Sequence, residues 1–437
     1  MNITIHHGTH EIGGSCVEIS SGENRIVIDI GMPLVEESGE RFDSKICKTL
    51  SPSELVKEKI LPDIKGIYKS NKGDKPIDWL FISHSHIDHY GIYTFLRDDI
   101  YYYVGEKAKK LIDLTTLFLN FNGDINKCTY LESGKEIKVG NFTITLYLMD
   151  HTAFDAYGFL IECEGKKIFY SGDFREHERK GKAFDYFLSK VPENIDALLL
   201  EGSLVGSERS ITKSEEDIEN DIVKTINNTD KIVFGVSSSQ NIDRLVSFFK
   251  AARRTKRLFV SDVYTSNVLA EIGGKTIPHT SKGYGNIRVY FFPQYTCNKL
   301  VKKKREKMIY KFYPYKISMA EISENPGNIV MMVRMSMVRE LSLIKGIEGA
   351  SVIYSMWNGY LEENSSKRFI DFMEEKNMQL IKHHTSGHAT IATLEKFVKK
   401  TKPKMIIPIH TFSLDKYAGI FPSEKVISVN DRELITS

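Results

Sequence analysis

The sequence predicts an α/β protein of two parts, and three observations carry that prediction. Residues 1–31 and 137–170 alternate short apolar runs with glycine turns, the pattern of antiparallel strands and hairpins. From about 206 to 380 the rhythm becomes strand, helix, strand, helix, which reads as βαβ units around a parallel sheet. In both parts apolar runs end repeatedly in His, Asp or Glu, so a layered sheet would deliver those side chains to one edge.

Taken in order, Ile3-Thr4-Ile5, Cys16-Val17-Glu18-Ile19 and Arg25-Ile26-Val27-Ile28 read as strands, with Gly13-Gly14 as a turn and Asp29 at a strand tip. Residues 32–76 keep no strand period and read as a long excursion, helical around 53–59, overhanging a site. Trp79-Leu80-Phe81-Ile82 is a buried strand that runs straight into Ser83-His84-Ser85-His86-Ile87-Asp88-His89. Residues 90–97 read as a helix whose dipole would favour anions beside Asp88. Strands resume over 142–146, 158–162 and 167–170. Loops there carry Asp150-His151-Thr152 and Ser171-Gly172-Asp173-Phe174-Arg175, and the run 197–200 ends in Glu201. The second part reads as strands over 231–236, 258–260, 328–333 and 350–354, with helices over 214–227, 242–253, 266–272, 338–345 and 366–376. Residues 405–409 form one more buried strand, ending at His410. The expected division is 1–205, an inserted 206–380, and 381–437.

Composition narrows the class. The chain has 437 residues, enough for two cores, with 41% apolar and 27% charged residues, as in a soluble globular protein. A net charge of +3 declares no nucleic-acid partner by itself, so any basic surface must be local. Five cysteines, scattered and never in a C-x-x-C pair, fit a reducing compartment and exclude a thiolate metal site. The N-terminus has no signal-peptide pattern and no apolar run approaches the roughly 20 residues of a membrane span, so the expectation is a cytoplasmic protein without membrane contact.

Three imidazoles and a carboxylate within the six positions from His84 to His89 point to metal. Close-packed histidines repel one another when charged and stabilise nothing without a cation, while imidazole nitrogen suits zinc and its neighbours. A lone strand-end histidine such as His151 carries no such weight and is more simply read as a cap.

The ordered set His84-x-His86-x-Asp88-His89, His151, Asp173 and a late histidine resembles the metallo-β-lactamase superfamily, with Asp29 at its first motif position. That resemblance implies a four-layer αββα sandwich with the metals at the sheet edges. It implies one metal on His84, His86 and His151, another on Asp88, His89 and His410, Asp173 bridging them, and Asp29 orienting a histidine from outside the ligands. Glu201, His384-Thr385-Ser386-Gly387-His388-Ala389 and Pro408-Ile409-His410-Thr411 resemble the motifs of the β-CASP branch. Those are the nucleic-acid-processing members, ribonuclease J and the endonuclease of mRNA 3′-end formation among them. The branch inserts a parallel-sheet α/β domain where the composition shifts here.

The chemistry agrees with phosphodiester hydrolysis, for which two metals a few ångströms apart acidify a water and clamp the phosphate. The resemblance makes Zn the expected metal pair, with Mn the alternative. Asp88 would serve the catalytic centre and His388, polarised by Glu201, would protonate the leaving oxygen. His384, Ser386 and Gly387 would hold phosphate oxygens, although a structural loop bond accounts equally well for His384. Lys302, Lys303 and Arg305, among Tyr310, Tyr313 and Tyr315, form a basic and aromatic tract suited to single-stranded nucleic acid, as does a second tract over 250–257. Ser237-Ser238-Ser239 lies where ribonuclease J-like enzymes hold a terminal 5′-phosphate, or simply caps a helix.

Two departures stand out. The sequence given ends 27 residues after His410, short of the extra C-terminal domain of full-length bacterial ribonuclease J. Met332-Val333-Arg334-Met335-Ser336 replaces the polar loop expected there. The expected function is therefore a two-metal nuclease of single-stranded RNA, 5′-exo, endo or both. A DNA nuclease of the same branch is the alternative. A small-molecule hydrolase and a non-catalytic paralogue are disfavoured by the insertion and by the seven retained ligands. A homodimer is left open.

Overall fold

The computed structural model describes residues 1–436 except 37–39, 71–72, 120–122, 178, 180–181 and 208–212. The first sheet holds β1 (Asn2–His7), β2 (Cys16–Ser21), β3 (Asn24–Ile28), β4 (Trp79–Ile82), β5 (Tyr101–Gly105) and β6 (Cys128–Leu131) in sequence order, with the C-terminal strand Leu434–Thr436 beside β1. The second holds β7 (Glu136–Val139), β8 (Phe142–Met149), β9 (Ala156–Cys163), β10 (Lys166–Tyr170) and β11 (Ala197–Glu201), closed by the strand Ile406–Ile409. Their facing sides interdigitate: Ile19, Ile28 and Phe81 of one pack against Phe159, Tyr170 and Leu199 of the other. Helices cover the outer faces. Leu55, Ile60 and Leu61 lie against Leu80 and Ile82, while Phe187, Leu394 and Phe397 lie against Phe169 and Leu198. The result is the expected αββα sandwich.

The third sheet comprises β12 (Val233–Val236), β13 (Leu258–Asp262), β14 (Ile287–Tyr290), β15 (Ile329–Val333), β16 (Ser351–Tyr354) and β17 (Gln379–Lys382) in the order β14-β13-β15-β12-β16-β17. All of its pairings are parallel. The inner strands β12, β15 and β16 are buried on both faces, which is why they read as mostly apolar runs. No helix among the described residues is long and apolar enough to cross a membrane.

Several elements depart from the sequence reading. The helix expected over 90–97 is one turn, Ile87–Tyr90, followed by a 3-10 turn, Tyr93–Phe95. The Ile92 amide donates to Ile30 O at 3.3 Å, which pulls the chain onto the first sheet and ends the helix. Four residues carry little macrodipole, so the expected anion-favouring helix end falls away. The helix over 338–345 stops at Leu341 and continues as i→i+3 turns. The excursion 32–76 does not simply overhang: Leu55, Ile60, Leu61, Ile64 and Ile67 are a buried layer. The helix Glu106–Leu119 was not foreseen, although Ala108, Leu111, Ile112 and Thr115 keep helical spacing and are buried.

Candidate metal centre

The side chains that matter leave the sheets at one edge. Strands β3 and β4 run parallel, as do β10, β11 and Ile406–Ile409, so their carboxyl ends bring Asp29, His84, Asp173, Glu201 and His410 together. His86, Asp88 and His89 follow on the short turn after β4, and His151 follows β8. This turn is held by backbone: Ser15 N donates to Asp88 O, Ile30 N to His89 O and Met32 N to Ile87 O, at 2.8–3.1 Å. The contact is tight enough that a Cβ on Gly31 would fall 1.7 Å from Asp88 O.

Three groups of ligand atoms, each within 4.8 Å, are found among the described residues: His84, His86, His151 and Asp173; Asp88, His89, Asp173 and His410; and Glu201, His388 and His410. Neighbouring groups fix which ring nitrogen is free. Asp29 accepts from Ser83 N, Ser83 Oγ and Tyr170 OH at 2.7 Å and holds His89 Nδ1 at 2.8 Å, so His89 Nε2 keeps its lone pair. His84 Nδ1 donates to Ser83 Oγ at 3.0 Å and His151 Nδ1 to Gly387 O at 2.7 Å, again freeing Nε2. Asp29 and His410 both take positive φ, 59° and 54°, a conformation rare outside glycine and held here by buried bonds.

The fit to divalent cations rests on what these atoms lack. His84 Nε2, His89 Nε2 and both Asp173 oxygens are buried without a hydrogen-bond partner, and they face one another as acceptors. Buried acceptors without a donor are costly, and a cation is the group that satisfies them all. Burial holds the His84 and His151 imidazoles well below their usual pKa and takes His86 down to about 4, so they are neutral and able to ligate. For His388 burial opposes charge, but Glu201 and Asp173 outweigh it and lift the pKa to about 9. Its Nδ1 stands 3.6 Å from Glu201 and 3.7 Å from Asp173, with the side chain 23% exposed.

The other residues singled out by sequence are spread more widely. Ser386 Oγ accepts from His388 N at 3.1 Å, its carbonyl accepts from His177 Nε2 at 2.7 Å, and the Gly387 carbonyl holds His151, so both residues shape the loop that carries His388. His384 is half-buried and belongs to none of the three ligand groups. Ser237, Ser238 and Ser239 follow β12, and Asn241 bridges to Ala153, two residues after His151. Ser237 and Ser239 line a pocket of about 10 Å³ together with Arg334, which is ion-paired to Asp262. Lys302, Lys303 and Arg305 are exposed, and the first two line an open groove of about 630 Å³ with Tyr295 and Lys299. In the tract over 250–257, Lys250, Arg253, Arg254 and Lys256 are exposed, Arg254 pairing with Glu219, whereas Arg257 is buried and donates to the carbonyls of Ile226, Thr229 and Lys231 before β13, at the opposite end of the sheet from Ser237.

Sequence reasoning missed the polar core beside the site. Arg175 is fully buried and reaches Asp150, Glu215 and Asp243, and it also donates to the Ser386 carbonyl at 3.2 Å. Arg244, also fully buried, clasps the same Glu215 at 3.0 Å. Only the direct junction of Arg175 with the Asp173 loop hinted at it.

A model of the beta-lactamase superfamily domain matches residues 66–231. That match covers less than half of the chain and supports its resemblance to the metallo-β-lactamase superfamily. The relatives it resembles are named as ribonuclease J, RNase J-like or RNase proteins. An RNase J-like protein of Methanocaldococcus jannaschii is 22% identical over 61% of this chain and 58% of its own length. Ribonuclease J of Mycoplasma genitalium is 23% identical over 92% of this chain, which spans 66% of that protein, less than two thirds in either case. A probable RNase, also from M. jannaschii, is 23% identical over 94% of this chain and 93% of its own length. A solved protein of unknown function from Enterococcus faecalis superposes with a TM-score of 0.79 over 99% of both chains at 21% identity, a likeness of fold.

Proposed function

We propose that this chain is a two-metal phosphodiesterase acting on single-stranded RNA. The observation that carries the reading is the neighbourhood of two ligand groups sharing Asp173 with a third pair, His388 and Glu201, on the same carboxylate. Two divalent cations, Zn or Mn, on His84, His86 and His151 and on Asp88, His89 and His410, with Asp173 between, would polarise the phosphate and make a water acidic enough to attack it. Asp29 holds His89 in the ligating tautomer. His388 turns Nδ1 to its two carboxylates, and the opposite ring nitrogen donates a proton to the leaving oxygen. Glu201 keeps that imidazole charged while its other oxygen caps Ser203 N. His384 reaches phosphate oxygens from the same loop, and Lys302, Lys303 and Arg305 track the strand beyond it.

The mode we favour is internal cleavage. The pocket lined by Ser237, Ser239 and Arg334 is small, about 10 Å³, and Arg334 is ion-paired to Asp262 there, which favours internal over terminal attack. Matched RNA and DNA oligonucleotides with 5′-phosphate or 5′-hydroxyl ends test the reading. Internal products from RNA, at rates within about threefold for the two ends (under ~0.7 kcal/mol), support it. Mononucleotides released only from 5′-phosphate RNA would overturn the internal mode, and preferential DNA cleavage would favour the DNA nuclease.

A further inference from the structure

The loop after β16 carries an aromatic pair with no role in the chemistry above. Trp357 is 54% exposed and meets Tyr360 edge-on, with centroids 5.4 Å apart and planes at 90°. Its position is built in: Tyr354 OH donates to Trp357 O at 2.9 Å, and Gly359 leaves the indole its place, since a Cβ there would fall 2.2 Å from Trp357 Cη2. Tyr360 is held from behind by Ser366 Oγ on its carbonyl, and the Arg41 guanidinium lies 5.5 Å over its ring while pairing with Glu363. Arg41 bridges to Val35; Pro33, just before Val35, pairs with Gly13, and Gly13 packs against Asp88. Tyr360 therefore lies on the Asp88 side of the site, close enough that Asp88, after burial, adds to the upward push on its phenol pKa.

An exposed indole, a cation and an anion-binding centre in a row match a strand whose phosphates enter the centre and whose bases must lie elsewhere. We propose that Trp357, propped by Tyr360 and Arg41, is a stacking platform for an unpaired base of the single strand next to the phosphate being cut. Stacking on a ring is tolerant of base identity, so the platform selects unpaired strands over duplex without reading sequence. Arg41, 64% exposed at its side chain, supplies the neighbouring phosphate contact. This inference rests on the nuclease reading of the site.

The chain has two tryptophans, and Trp79 is half-buried within β4, so an indole quench on strand binding reports mainly on Trp357. The experiment titrates the full, metal-loaded chain carrying His388→Ala with a single-stranded oligoadenylate and with an abasic strand of equal length and charge. RNA cleavage by the unaltered chain is followed in parallel. The platform predicts quenching by the base-bearing strand alone. It also predicts that Trp357→Ala weakens that strand about tenfold and the abasic strand hardly at all, with Trp357→Phe between. Equal weakening of both strands, or tight binding without quenching, overturns it. If RNA is cut but Trp357 stays silent, only the platform fails. If the strand stacks on Trp357 but is never cut, the hydrolytic reading fails and the platform stands. If the strand is neither bound nor cut, both fall.

Discussion

Replacing Glu215 by glutamine removes the anion shared by two guanidiniums that, like Glu215 itself, have no exposed side-chain surface. Arg175 would keep Asp150 and Asp243, but Arg244 would retain only neutral partners, Ser355 Oγ and the carbonyls of Ser355 and His383. Burial works against the Glu215 charge, yet Arg244 and Arg175 take its pKa from 4.5 to about 2. That gap corresponds to roughly 3 kcal/mol at ~1.36 kcal/mol per pH unit, within the roughly 3–5 kcal/mol for breaking a buried pair. Because the folded pKa lies below the unfolded one, this stability is fully present above pH 4.5 and disappears as pH falls towards 2. Urea unfolding at pH 7, followed by circular dichroism, should show Glu215→Gln about 3 kcal/mol less stable than the parent, with the difference shrinking between pH 4.5 and 3. A loss under ~1 kcal/mol, or one independent of pH, would refute the reasoning. The same variant should lower RNA cleavage, because Arg175 also holds the Ser386 carbonyl two residues before His388.

Three further outcomes are expected. His388→Ala should cut kcat by about 10²–10⁴ while metal content by mass spectrometry stays at the parent level; joint loss of metal would make His388 a ligand instead. Asp173→Ala should lower bound metal and cleavage together, and chelation of the parent should abolish cleavage until Zn or Mn is restored; activity that survives chelation excludes the two-metal reading. Gly31→Ala drives a Cβ into Asp88 O and should cost about 1–3 kcal/mol and weaken metal binding, whereas unchanged metal affinity would mean the Asp88 turn is not rigidly held.

Much of the layout was legible in the chain itself. A metal ligand is a matter of residue type, and a strand end is a matter of local periodicity. His84, His86, Asp88 and His89 stood out as a cluster, His151, Asp173 and His410 joined them only through the resemblance, and the parallel sheet could be read from its strand–helix rhythm. Local patterns were less secure where tertiary contacts compete. The single turn at Ile87–Tyr90 is shorter than its sequence suggests because Ile92 bonds to Ile30 instead. Charge proved the least readable feature. Within the basic tract over 250–257, Arg257 is buried and caps carbonyls of residues 226–231, while its basic neighbours stay exposed. Glu215 sits in an acidic helix start that reads as solvated surface, yet it is wholly buried.

By itself the sequence determined which donor atoms the protein owns and the order in which strand ends present them, because both follow from side-chain chemistry and short-range pattern. Only the tertiary structure decided that the Gly387 carbonyl fixes the His151 ring, that Asp29 fixes that of His89, and that Arg175 holds the Ser386 carbonyl beside His388. Those contacts join residues 60 to more than 200 positions apart, and a sheet edge brings them together at distances no local pattern encodes.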